Sequence, residues 1–179
     1  PGSAHVALHH ALALADAANT VSERYAREVS QPGSDQHVND LVTAEGADFR
    51  GILNGLDYDT WNPKQDSAIP ANYSVDDLSG KWECKRDLQD SLGLPVDAET
   101  PIVSMIGRLH ETKGYELVLE GMQYLDGAQF VFLGTGDRNY SDGLKFLAAT
   151  RQDIVSLIRF DSHFARRLYA GSDIVLMPS

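Results

Sequence analysis

"PIVSMIGRLHETKGYELVLEGMQYL" spans residues 101–125, and its reading decides the fold. The apolar run Ile102–Ile106 has the length and composition of a strand covered on both faces. Gly107 and Arg108 then turn the chain, and Thr112 is a candidate N-cap. Leu117, Val118, Met122 and Leu125 recur at helical spacing through Tyr115–Leu125. The same order of events returns downstream, with apolar runs at Phe130–Leu133, Ile154–Ile158 and Ile174–Met177. Helices are predicted over Ser141–Thr150 and Phe164–Ala170, with Ser141 and Ser162 as candidate caps. Strand and helix in alternation predict an α/β fold, a parallel sheet with helices on both faces. No crossover helix follows the last run, so the sheet is expected to be incomplete there.

In such a sheet ligands bind beyond the carboxyl ends of the strands, where Gly107 and Arg108 fall. Lys113 sits at the mouth of the next helix, where unpaired backbone N–H groups favour an anion. Two cations converging there suit a diphosphate. Alternatively both are surface charges paired with Glu111 and Glu116. "FLGTGD" (132–137) repeats the geometry one strand later, since Gly134 and Gly136 let backbone approach a ligand without a Cβ in the way. The same glycines also fit a plain tight turn. Neither GxGxxG nor GxxxxGK[ST] occurs, which weakens the familiar dinucleotide and P-loop readings.

The first half is organised differently. Val6–Ala18 has a helical pattern, "NTVS" (19–22) reads as a short strand, Glu23–Val29 as a helix start and residues 30–40 as a loop. Turn residues and prolines after Ile52-Leu53 predict a hinge or linker over 54–75. A helix follows over Asp76–Leu92, with Leu78, Trp82, Leu88 and Leu92 on one face.

Composition narrows the classes. Fifteen Lys and Arg stand against 26 Asp and Glu, a formal charge of −11 over 179 residues. A general nucleic-acid or membrane coat is therefore not expected, and any anion must be held by a local site. Hydrophobic residues at 42% supply a core. Cys84, the only cysteine, allows no intrachain disulfide and reads as helix packing. No long apolar run or leader pattern is visible, which makes a cytoplasmic setting the default. Asp57-Tyr58-Asp59 fits a loose metal-binding pattern, although the preceding Asn54-Gly55 favours a turn. His5 and His9 share a helix face at zinc-ligand spacing but lack a nearby carboxylate. No Ser-His-Asp or Cys-His constellation is readable.

Taken together, "GILNGLDYDTWNP" (51–63), "KRDLQDSLGLP" (85–95), "IGRLHETKG" (106–114), "FLGTGD" (132–137) and "RRLYAGSDIVLMPS" (166–179) resemble bacterial glycogen synthases and plant starch synthases in order and spacing. "ADAANTVSERYAREV" (15–29) resembles the segment before that family's hinge. The resemblance implies the GT-B architecture, two Rossmann-like domains across a cleft. Residues 1–53 would be the end of the N-terminal domain, 54–75 the hinge, and 76–179 the first half of the nucleotide-sugar-binding domain. It implies that Arg108 and Lys113 bind the diphosphate of ADP-glucose and stabilise the leaving group. Gly107 and Gly134, Thr135, Gly136 and Asp137 would line the nucleotide, Phe160 the base, and Asn54 the cleft. The implied reaction transfers glucose to the non-reducing end of an α-1,4-glucan with retained configuration and without a metal or other cofactor.

The family's lysine-glycine loop and Glu-Pro-Cys-Gly stretch are not found here. The chain is therefore expected to be an internal fragment, incomplete at both ends, inactive alone and prone to self-association. A bacterial parent would be cytoplasmic and a plant one plastidic. A truncated paralogue acting as a nucleotide-binding or interaction module, and another retaining GT-B glycosyltransferase, are the alternatives. The first would show a genuine stop codon after Ser179, and the second a different sugar donor.

Overall fold

The computed structural model describes residues 7, 10–12, 14–31, 33, 39, 40, 42 and 48–179. The chain divides into two compact units, residues 1–56 and 57–179.

In the first unit, strand β1 (Ala17–Thr20) pairs in parallel with β2 (Asp48–Gly51), and helix α1 (Glu23–Val29) lies between them in sequence. The helix expected over Val6–Ala18 falls partly outside the described residues, and its last two positions belong to β1 instead. The strand read at 19–22 stops at Thr20 because Ser22 is the N-cap of α1, its hydroxyl accepting from Tyr25 N at 3.1 Å. Much of the loop read at 30–40 lies outside the described residues, and Asn39 and Asp40 are helical. His5 and His9 also lie outside them.

The second unit is the sheet that the sequence predicts. Helix α2 (Ser79–Leu92) leads into β3 (Ile102–Ile106), a 3₁₀ turn (Glu111–Lys113) and α3 (Tyr115–Gly121). After a second 3₁₀ turn (Met122–Tyr124) come β4 (Gln129–Leu133), α4 (Arg138–Thr150), β5 (Ile154–Leu157), α5 (Ser162–Gly171) and β6 (Ile174–Val175). The strands are all parallel in the order β5-β4-β3-β6.

Alternation along buried strands sorts the core into two layers. Met105, Phe130 and Phe132 pack with Tyr115, Val118 and Leu144 of α3 and α4 on one face. Ile102, Val131 and Leu133 pack with Leu88 of α2 and Phe164 and Leu168 of α5 on the other. Every residue of β4 is buried, at about 1.5–3 kcal/mol for each large apolar side chain.

Several local expectations move by a turn. Gly114, not Thr112, takes the N-cap position of α3, and Thr112 lies within the 3₁₀ turn, where its N–H donates to the capping His110 Nδ1. The helix read over Tyr115–Leu125 is α-helical only to Gly121 and tightens to 3₁₀ beyond it. Asp137 takes the N-cap position of α4, so Ser141 lies inside the helix and its hydroxyl donates to Arg138 O. Asp161, not Ser162, caps α5 by accepting from Phe164 N at 2.9 Å. Helix α2 starts at Ser79, after Asp77 accepts from Ser79 N.

The buried face of α2 keeps Leu88 and Leu92 of the one predicted and differs at the helix start. Leu78 and Trp82 are exposed, while Cys84, Lys85, Leu88 and Gln89 are buried. Two polar side chains are tolerated there because each finds partners. Lys85 Nζ donates to Ala98 O and pairs with Asp173 at 2.9 Å, and Gln89 Nε2 donates to Asp97 O and Gln129 Oε1.

Candidate nucleotide-binding site

The carboxyl ends of β3, β4 and β5 open into a cavity of about 390 Å³ within the second unit. Its lining includes Gly107, Gly134 and Thr135 at the ends of β3 and β4. Arg108 lines it too, and Arg159, Phe160 and Asp161 come from the loop after β5. Trp61 and Tyr169 form a wall, in an edge-to-face pair with ring centroids 5.6 Å apart.

The two strand-end loops are joined backbone to backbone. Gly107 N donates to Leu133 O at 3.0 Å, Leu109 N to Thr135 O at 2.9 Å, and Asp137 N to Leu109 O at 2.7 Å. A Cβ on Gly134 would lie 1.9 Å from Gly107 O, and one on Gly136 would lie 2.2 Å from Leu109 O. The glycines of "FLGTGD" are thus required by the neighbouring loop, and Gly134 also lines the cavity. Beneath this joint Tyr115 is fully buried, with its hydroxyl donating to Gly107 O at 3.5 Å. Burial pushes that hydroxyl up to about 12, so it remains a donor.

Arg108 and Lys113 are exposed, and neither forms an ion pair or side-chain hydrogen bond with a described residue. The pairing with Glu111 and Glu116 that would make them ordinary surface charges does not form. Those two glutamates line a separate cleft with Asp137 and Arg138. Arg159, by contrast, is paired with Asp161 at 3.1 Å and lies over the Phe164 ring. Asp161 is held below the usual carboxylate range, first by the Phe164 N–H and also by Arg159.

The structure therefore brings Gly107, Arg108, Gly134, Thr135 and Phe160 around one cavity. Lys113, Gly136 and Asp137 sit outside its lining on the adjoining loops, and Asn54 belongs to the first unit. Asp57 is committed to a turn, its carboxylate accepting from Asp59 N, Thr60 N and Thr60 Oγ1. Among the described residues no group of three or more His, Cys, Asp or Glu could hold a metal ion. Nor is any helix among them long and apolar enough to cross a membrane. Cys84 is buried, with its Sγ 3.2 Å from Ala71 O, and burial pushes its thiol up. Trp61, Arg159 and Tyr169 were not singled out from sequence. Trp61 stands in the segment read as a hinge, and the aromatic character of "DTW" was the available signal.

The parallel α/β fold matches that of a GT-B glycosyltransferase catalytic domain. No protein-family model matches the chain. The chain is similar to glycogen and starch synthases: glycogen synthase of Streptococcus equi subsp. equi is 40% identical over 172 residues, 94% of this chain and 36% of that protein. Glycogen synthase of Thermotoga maritima is 41% identical over 94% of this chain and 35% of its own length. The catalytic domain of starch synthase IV from Arabidopsis thaliana, solved with ADP and acarbose, superposes with a TM-score of 0.87 at 31% identity, over 96% of this chain and 36% of that one. HepE of Anabaena, solved with UDP and glucose, shares the fold at a TM-score of 0.62 and 18% identity, over 97% of this chain and 41% of that one. The chain thus spans about a third of the length of the curated relatives it matches.

Proposed function

We propose that this chain carries the donor-nucleotide site of a glycogen or starch synthase, and that the whole protein transfers glucose from ADP-glucose to the non-reducing end of an α-1,4-glucan. The observation that carries the reading is a pair of unpaired cations, Arg108 and Lys113, on the loop leaving β3 beside an aromatic cavity. Cleavage of the glucose–phosphate bond leaves negative charge on the departing diphosphate. Cations already in place, with no carboxylate to be displaced from, stabilise that charge more in the transition state than in the ground state. The same two charges perform the neutralisation a divalent metal would otherwise supply, so the reaction is proposed to need none. Gly107, Gly134 and Thr135 offer backbone to the nucleotide, Gly136 and Asp137 support that loop, and Phe160 meets the base.

The ADP and acarbose in the Arabidopsis relative support both halves of this reading, donor nucleotide and α-glucan. A soluble compartment, the cytoplasm of a bacterium, fits the bacterial glycogen synthases it matches. Calorimetric titration of ADP in excess EDTA tests it: saturable binding is expected, and absence of binding at millimolar ADP would overturn it.

A further inference from the structure

We propose that Trp61 is a specificity-determining residue of this site, its indole forming the stacking wall for the nucleobase opposite the loop that carries Phe160. The inference rests on the reading that the cavity takes a nucleotide, and it adds the residue that selects for the base.

Trp61 is fixed by turns on both sides. Its N–H donates to Asp57 O at 2.9 Å, closing the turn that the Asp57 carboxylate caps. Asn62 Oδ1 accepts from Lys64 N, and Asp66 N donates to Asn62 O at 2.9 Å. Asn72 Nδ2 then ties the segment back through Pro63 O and Asp66 O.

Two anchors on one helix hold the segment against α5. The buried Asp66 pairs with Arg166 at 3.2 Å, and Trp61 meets Tyr169 edge to face. Positions 166 and 169 are three apart, on one side of the helix. Residues 57–69 are therefore a docked wall of the second unit.

Despite these restraints Trp61 remains 46% exposed and lines the cavity. A large apolar surface held rigid yet left uncovered loses little entropy when a flat ring stacks on it. The neighbouring lining holds apolar Ile106, Leu133 and Ala165, the cation Arg108, and Arg159 and Asp161 paired with each other. A ligand matching the apolar residues and the Arg108 cation has a planar ring at one end and an anion at the other. Aromatic stacking accepts any base, but a purine covers more of an indole than a pyrimidine does, so the wall favours ADP over UDP.

The test uses tryptophan emission. Trp82, the other tryptophan, stands on α2 outside the cavity lining, so Trp82→Phe leaves Trp61 as sole emitter. ADP and AMP are expected to quench or shift that emission, and inorganic pyrophosphate to leave it unchanged. By calorimetry Trp61→Ala should weaken ADP about tenfold while pyrophosphate changes by less than about twofold, and Trp61→Phe should keep most of the affinity. If calorimetry shows ADP binding but Trp61 emission and the Trp61→Ala affinity do not respond, the inference fails and the nucleotide reading stands. If emission responds to ADP-glucose and not to ADP, the wall serves the sugar and the inference is overturned. If ADP does not bind the unaltered chain, the nucleotide reading itself fails.

Discussion

Gly134 lies so close to the carbonyl of Gly107 that a β-carbon there would stand 1.9 Å from the oxygen. The contact is backbone to backbone, so no side-chain rotation relieves it. Gly134→Ala should push apart the loops after β3 and β4, costing about 1–3 kcal/mol as overpacking does. It should also move Arg108 and weaken nucleotide binding. Thermal unfolding and ADP titration on one preparation check this, and an unchanged Tm with unchanged affinity would contradict it.

Breaking the Asp66–Arg166 pair is predicted to cost more than a surface ion pair. Asp66 is buried and Arg166 largely so, and Arg166 Nε has no hydrogen-bond partner even when the pair is intact. Asp66→Ala would leave a buried guanidinium without its counter-charge and remove the cap on Ala68 N, destabilising by about 3 kcal/mol. Chemical denaturation measures it, and a loss within the range of exposed pairs would show that the segment is not anchored here.

The loop after β5 should respond to acid. Asp161 is depressed by the Phe164 N–H and by Arg159, so its native pKa lies below its unfolded one. Its contribution is fully present above the unfolded carboxylate range and is lost as pH falls through the depressed native value. Acid titration is expected to loosen the α5 start and free Arg159 before the sheet unfolds. In Asp161→Ala that low-pH step should be missing from an amide-exchange profile of residues 159–164.

Much of the sheet was legible because strands buried on both faces need contiguous apolar residues, and Ile102–Ile106 and Phe130–Leu133 supply them. Helix starts were less legible. Asp137 and Ser141, or Asp161 and Ser162, both satisfy the chemistry of a cap, and the backbone that chooses between them is set by the tertiary fold. Helix α2 misled for a related reason. Lys85 and Gln89 look solvent-facing until carbonyls and Asp173, distant in sequence, provide partners. Arg108 could be placed from sequence because a strand end fixes its direction. Trp61 could not, since its neighbour Tyr169 is more than a hundred residues away and only folding joins them.

If the reaction relies on Arg108 and Lys113 for charge neutralisation, chelation should be silent. ADP affinity in EDTA is predicted to match that in its absence, whereas a tenfold or greater loss, about 1.4 kcal/mol, would place a metal in the site.

Comparison of ADP with AMP tests directly the proposal that Arg108 and Lys113 grip a diphosphate. Calorimetric titrations of both nucleotides into the unaltered chain, Arg108→Ala and Lys113→Ala isolate the β-phosphate increment. Charge-assisted hydrogen bonds are worth about 1.5–3 kcal/mol, so the unaltered chain should prefer ADP by about tenfold or more and each variant should lose most of that preference. Variants that keep the full preference for ADP over AMP would contradict the account.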